Sequence, residues 1–364
     1  MRSIFFYISE HGFGHASRQI EVINALGAAA SGFDIVVRTS AAPRLFDRTV
    51  RVPIHILPGP CDPGVVQVDS LRLDERATIQ HAATFYATID QRAAGEADLL
   101  RRHGAAFVVA DVPPLACAAA AAAGVPAVVL ANFTWDWIYE RYAEHMRGAP
   151  HLLPAIRSAY RRAAAAWRLP MHGGFETVGA IVDLPFIARH ARHQPQPVRR
   201  MLGLPPGPLV LVSFGGYGAR GIVPARLDCL NAYGVVMTHE GGPTAAVPGV
   251  HAISEAAIYE HGLRYEDLVR AVDVVISKPG YGIISECVAN DTALLYTARG
   301  RFAEYDVLVS ELPRYLRCGY IDHEALFAGR WRGALDDLAS APAPSEQPAT
   351  DGARVAAGMI LQHL

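Results

Sequence analysis

Val274 to Glu286 is the stretch that most narrows what this chain can fold into. A short apolar run, Val274 to Ser277, is followed by Lys278, Pro279, Gly280, Tyr281 and Gly282, and then by Ile283 to Glu286. The run predicts a buried parallel strand, the proline and two glycines a tight turn, and the residues after Gly282 the first turns of a helix. In open α/β sheets ligands sit beyond the carboxyl ends of the strands, where backbone N–H groups at a helix start attract phosphate. Glu286, with Ser285 one turn into the helix, cannot bind phosphate but can accept hydrogen bonds from a pair of ribose hydroxyls. The plainer reading is an ordinary glycine-bearing turn with a solvated glutamate.

The 364 residues exceed one compact core and suit two domains. A formal net charge of -2, from 33 basic and 35 acidic residues, gives no support for a general nucleic-acid binder. The 5 cysteines are dispersed, odd in number and without CxxC spacing, which points to a reducing compartment, the cytosol, rather than to a disulfide framework. Ile4 to Ile8 is too short for a signal-peptide core. Ala105 to Leu130 is broken by Asp111, Pro113, Pro114, Gly124 and Pro126, so it reads as strand, helix, strand and not as a membrane span.

Ile4 to Ile8 is the expected first strand, followed by Gly12, Phe13, Gly14 and His15 and by a helix that Ser17 can cap. His15 then stands where a ring nitrogen projects above the sheet, as a general base, a substrate ligand or a polar residue closing the turn. His11 is a weaker candidate of the same kind. Strands are expected at Asp34 to Thr39, Ile54 to Leu57, Phe107 to Asp111 and Ala127 to Leu130, with one helix over Glu75 to Arg102 and another over Ala116 to Ala123. Asp111, at a strand end, is a candidate base or partner for a basic group; it can equally cap the segment before Pro113. Asn132, Trp135 and Trp137 follow the next strand. Their aromatic faces can stack on a sugar or pack into a domain interface. Pro150 to Trp167 reads as a basic helix, a solvated face or a weak contact for an anionic surface. Thr177 to Leu184 reads as a strand.

From Pro185 to Pro208 six prolines and several basic residues mark an inter-domain linker. The opening pattern then returns: Leu209 to Ser213 as a strand, followed by Phe214, Gly215, Gly216, Tyr217, Gly218, Ala219 and Arg220. Two halves that each begin with a strand and a glycine-rich turn are expected of two Rossmann-like domains facing a shared cleft. Strands at Val235 to Met237, Val250 to Ile253 and Ala293 to Tyr296 and helices at Tyr265 to Ala271 and about Glu304 to Arg317 complete the second half.

These motifs carry a resemblance. Gly12 to Arg18, Asn132 to Trp137 and Lys278 to Glu286 resemble the glycosyltransferase-like N-terminal region of plant L-arabinokinase and its stand-alone bacterial relatives. More distantly the chain is similar to GT-B glycosyltransferases of the peptidoglycan N-acetylglucosaminyltransferase and galactolipid synthase group, whose second glycine-rich loop Gly215 to Arg220 matches. The resemblance implies an α/β GT-B fold of two Rossmann-like domains facing a central cleft. An acceptor domain would span 1–190, a donor domain 191–345, and a helix returning to the first domain 346–364. It implies transfer of a sugar from a nucleotide-sugar donor, UDP-linked, to an acceptor, inverting and without a metal or other cofactor, in keeping with the absence of a DxD motif. Carried over residue by residue, His15 and Asp111 would be catalytic. Gly14, Gly215, Gly216, Tyr217, Gly218, Arg220, Lys278, Gly280, Tyr281, Gly282, Ser285, Glu286 and Glu304 would hold the donor, with Glu286 on the ribose. His11, Phe13, Asn132, Trp135 and Trp137 would face the acceptor. The acid and amide pair that often holds the donor hexose is here Arg301 to Asp306, which lacks the amide. The chain shows no glycine- and serine-rich phosphate loop of the sugar-kinase type, so a kinase reaction is not expected. A nucleotide-sugar epimerase or hydrolase, or a non-catalytic nucleotide-sugar binder, is the alternative. No nucleic acid and no transmembrane segment are expected; peripheral membrane contact and oligomeric state stay open.

Overall fold

The computed structural model describes residues 2–11, 13–215, 221–239 and 246–364. Two all-parallel sheets carry it. The first has β1 (Ser3–Ile8), β2 (Asp34–Thr39), β3 (His55–Pro58), β4 (Ala105–Asp111), β5 (Ala127–Phe133), β6 (Ala165–Gly173) and β7 (Ile181–Asp183), in the order β3-β2-β1-β4-β5-β6-β7. The second has β8 (Leu209–Val212), β9 (Gly234–His239), β10 (Val250–Ser254), β11 (Val274–Ser277), β12 (Ala293–Tyr296) and β13 (Cys318–Tyr320), in the order β10-β9-β8-β11-β12-β13. Strands covered on both faces read as continuous apolar runs. All six residues of β1 and all four of β8 and β11 are buried accordingly.

Each sheet reverses its strand order at one place, between β1 and β4 in the first and between β8 and β11 in the second. Ligand crevices of open parallel sheets form at such points. The chain ends of β1 and β4 lead into His11 to His15 and end in Asp111; those of β8 and β11 lead into Gly215 and Lys278.

Several expected elements differ. The helix after Pro150 covers only Leu152–Tyr160, and Ala165–Gly173 is a strand whose buried residues largely alternate as it pairs β5 on one side and β7 on the other. Glu75 to Arg102 is two helices, Glu75–Tyr86 and Ile89–Arg102; the Thr88 hydroxyl donates to the Phe85 carbonyl at 3.2 Å, a local bond that competes with the helical ladder. Of Thr177 to Leu184 only Ile181–Asp183 is strand. The first helix begins at Phe13, so Ser17 lies inside it and does not cap it. The linker contains a helix, Pro195–Met201.

The chain crosses between the two sheets twice, and the crossings run side by side. Phe186 N–H donates to the Ala349 carbonyl at 3.1 Å and Gly352 N–H to the Phe186 carbonyl at 2.9 Å. A Cβ at Gly352 would stand 2.2 Å from the Pro185 carbonyl oxygen, so only glycine lets the two strands of chain meet. The last helix, Gly352–Leu361, buries Ala356, Ala357 and Ile360 in one apolar cluster with Ile4, Phe6, Val22 and Leu26 of the first domain. The loop 59–74 reaches over from the first domain and buries Leu71 in one apolar cluster with Val212 and Ile276 of the second sheet and Phe214 just after β8. Among the described residues no helix is long and apolar enough to cross a membrane.

Candidate active site in the interdomain cleft

His15 is the third residue of the first helix, Phe13–Ala29, and is 7% exposed. Its Nδ1 lies 2.9 Å from Oδ1 of Asp111, which ends β4 and is fully buried. Arg18, one helical turn on and on the same face, reaches the same carboxylate through Nε (3.0 Å, to Oδ2) and Nη2 (to Oδ1), and its Nη1 donates to Oδ1 of Asn132. Gln19 Nε2 adds a fourth donor at 3.0 Å from Asp111 Oδ2. Burial pushes the Asp111 carboxyl up, but Arg18 and His15 outweigh it and hold the group at about 2, so the carboxylate is ionised. An ionised carboxylate accepts only, which assigns the neutral His15 proton to Nδ1 and leaves the Nε2 lone pair free. The Arg18 Nη2, 3.1 Å from the same Nδ1, then finds its acceptor in Asp111 and not in the ring. The edge of the His15 ring rests against Phe133, centroids 5.6 Å apart.

His11 lies half-buried beside this group, its Nε2 3.3 Å from the Gln67 amide nitrogen. Burial and the neighbouring His15, Arg299 and Lys278 hold its ring well below the ordinary histidine range. Phe13, 41% exposed, opens to solvent at the helix start. Asn132 is buried and spent on Arg18 and, through Nδ2, on the Pro170 carbonyl at 2.7 Å. Trp135 is 1% exposed, stacked on Tyr139, with its indole N–H donated to Oδ2 of Asp62 at 2.9 Å. Trp137 packs on Gly173 and Gly174, where any Cβ would stand 2.7 Å or less from its side chain. Asp62, absent from the sequence-derived candidates, is buried between Trp135 and Ser9; burial raises its carboxyl to about 6 against the pull of those two hydrogen bonds.

Across the cleft the turn after β11 starts the helix Tyr281–Asn290. Gly282 approaches Gly14 so closely that a Cβ on it would stand 3.5 Å from Gly14 Cα. The two helix starts therefore meet, and the space they share with Arg18, Ser285 and Glu286 is a cavity of about 20 Å³. The Tyr281 hydroxyl donates to the Met171 carbonyl at 2.6 Å, and Ser285 Oγ to the Gly282 carbonyl at 2.9 Å. Glu286 is buried and paired with Arg189 of the linker, whose Nε donates to Oε1 at 2.8 Å; Arg189 also faces Glu266 at 3.4 Å. Arg189 was hidden in the composition of the linker.

Lys278, half-buried at the end of β11, has its ammonium lowered to about 7 by burial and by Arg299, with Glu304 and Asp69 opposing. Arg299 follows the neighbouring strand β12; it lies over the Phe302 ring, 3.6 Å from the centroid, 3.6 Å from Oε1 of Glu304, and its buried Nε has no acceptor. Arg299, and Lys278 when protonated, thus bring positive charge to this part of the cleft, while His11 stays neutral. Gly280 is extended at φ -161° and Gly215 left-handed at φ 68°. Gly12, Gly216, Tyr217, Gly218 and Arg220 lie outside the described residues. Among the described residues one group of acids and histidine, Glu75, Glu144 and His145, is close enough to share a metal, and Arg301 already reaches Glu75 at 3.2 Å and Glu144 at 2.9 Å.

No protein-family model matches the chain. L-arabinokinase from Arabidopsis thaliana is 29% identical over 367 residues, covering 98% of this chain and 34% of that protein, so the chain spans about a third of its relative's length. Among solved structures, the glycotransferase of kitacinnamycin superposes with a TM-score of 0.62 at 16% identity, covering 100% of this chain and 99% of that one. The calicheamicin glycosyltransferase CalG4 gives 0.60 at 17% identity, covering 100% and 94%. UGT2 of Phytolacca americana, complexed with UDP-2fluoro-glucose and pterostilbene, gives 0.57 at 12% identity, covering 100% and 94%. With two parallel sheets, paired crossings and a last helix returned to the first domain, the chain has the GT-B fold of glycosyltransferases.

Proposed function

We propose that this protein is a glycosyltransferase that moves a sugar from a nucleotide donor, UDP-linked, to an acceptor hydroxyl with inversion at the anomeric carbon. The observation that carries the proposal is the His15–Asp111 pair at one switch point, directly opposite the helix start at the other. The free Nε2 of His15 takes the acceptor proton, the acceptor oxygen attacks the anomeric carbon, and the bond from that carbon to the diphosphate breaks on the opposite face. The leaving diphosphate is met by the N–H groups that open Tyr281–Asn290 and by Lys278. Glu286 keeps Oε2 for the ribose while Arg189 holds Oε1. The N-terminal domain, with His11 and Phe13 at its rim, takes the acceptor; the C-terminal domain takes the donor. A cavity of about 20 Å³ holds at most one water, so the donor enters only after the two helix starts separate.

Thermal stabilisation by a panel of nucleotides and nucleotide sugars identifies the donor, since a ligand of the folded state alone raises its melting temperature. With donor and acceptor in hand, His15→Ala is expected to lower turnover by about 10²–10⁴-fold with nucleotide affinity unchanged. Undiminished turnover would move the base elsewhere.

A further inference from the structure

Asp111 is shared. In a simple pair a buried carboxylate both orients a histidine and raises its affinity for a proton. Here the same two oxygens receive the guanidinium of Arg18, itself 8% exposed and fixed at its far end by Asn132. Asp111 and Arg18 together carry no net charge. A second proton on His15 would therefore meet a guanidinium nitrogen 3.1 Å away as well as the carboxylate at 2.9 Å.

The groups facing His15 come from four elements. They are Arg18 on its own helix, Asp111 on β4, His11 in the turn after β1, and Asp62 in the loop after β3, which feels the histidine's charge. Asn132 and Phe133 of β5 close the site without charge. Arg18, like the neutral Gln19, binds both the ring's carboxylate partner and the next strand, but it does so with a charge.

Resting on the catalytic reading above, we propose that Arg18 is a positioning residue: by holding both oxygens of Asp111 in its fork it fixes the carboxylate that sets the tautomer of His15, and its charge opposes a second proton on the ring, so that Nε2 stays free to accept one. Three features follow from the geometry. The bidentate fork sets the plane of the carboxylate. The third nitrogen ties that plane to Asn132. The charge opposes an imidazolium.

The test needs no substrate. In ¹H–¹⁵N NMR titrations of the full chain, the midpoint of the His15 ring titration is expected to move up by about one pH unit in Arg18→Gln, because a like charge at this range counts for about 1–3 units. It is expected to stay within about 0.3 unit in Arg18→Lys, which keeps the charge. An unchanged or lowered midpoint in Arg18→Gln, or an equal rise in Arg18→Lys, overturns the proposal. If Arg18→Gln does not fold, the double variant Arg18→Met, Asp111→Asn removes both charges of the pair and is expected to leave the midpoint in place; a move of more than about one unit overturns it. Where turnover is measurable, the acid limb of kcat/KM shifts with the ring and the donor KM does not. A ring shift with no glycosyl transfer on any donor would sink the functional reading and leave this one standing.

Discussion

Asp62 offers a test of the electrostatics that is independent of any substrate. Its carboxyl is buried, accepts from Trp135 Nε1 and Ser9 Oγ at 2.9 Å each, and is raised from an ordinary 3.8 to about 6, chiefly by burial. The folded state therefore holds the proton more tightly than the unfolded chain. Its contribution is most favourable below about pH 4, declines as pH rises from about 4 to 6, and is level above that. A difference of about 2 units corresponds to about 3 kcal/mol. Asp62→Asn keeps the size and the acceptor for Trp135, donates its amide to Ser9, and cannot ionise. At about pH 4.5 the variant should match the natural chain within about 1 kcal/mol, the scale of one rearranged hydrogen bond. At about pH 7.5 it should be more stable by up to about 3 kcal/mol. Asp111 has the opposite slope, its low value favouring the fold above about pH 4, but that term is common to both proteins and cancels in the difference. Urea unfolding followed by tryptophan fluorescence reports mainly the first domain, which holds Trp135, Trp137 and Trp167 against Trp331 in the second. The difference between midpoints is the quantity to compare, since two domains need not unfold as one. A gap that does not grow with pH would refute the reasoning.

Two further outcomes concern the donor side. Lys278, held at about 7 by burial and Arg299, is partly neutral in the ligand-free protein at neutral pH. Binding a nucleoside diphosphate should therefore take up about half a proton at pH 7 and weaken as pH rises, visible as buffer-dependent heats in calorimetry and absent in Lys278→Gln; proton release on binding would contradict it. Gly282→Ala should raise thermal stability slightly, by up to about 1 kcal/mol, since its Cβ meets Gly14 Cα at an ordinary 3.5 Å inside a helix, and should cut nucleotide affinity at least about tenfold. Unchanged affinity would remove this turn from the diphosphate site.

How far the sequence could be read depended on the range of the interactions that decide each feature. Ile4 to Ile8 and Ala293 to Tyr296 are short apolar runs between turn residues, and both became strands at nearly the expected bounds. Ala165–Gly173 escapes a sequence reading because the alanine run Ala163 to Ala166, with Trp167 and Arg168, reads as helix; its extended form comes from pairing β5 and β7, which no local pattern announces. His15 and Asp111 could each be placed at a strand end, but that they touch, 96 residues apart, follows only from β1 lying beside β4. Arg18 stood in plain view in the same motif as His15, three residues on, and the spacing alone puts the two on one helix face. Arg189 had no such signal, and neither did Asp62.

The turn at Lys278 to Glu286 belongs to another category. A Cβ at Gly280 would meet nothing within 4 Å, and its backbone is extended, a conformation open to any residue. Gly282 makes only ordinary contact and sits in helical backbone, where alanine would be preferred. The fold thus asks for glycine at neither position, although Gly282 faces Gly14 across the cleft and both lie at a helix start, where the first N–H groups have no partner in the helix. At Gly282 a residue choice that costs helix stability and brings no packing in return is what the proposed diphosphate site would require, because a diphosphate at a helix start must approach the backbone itself.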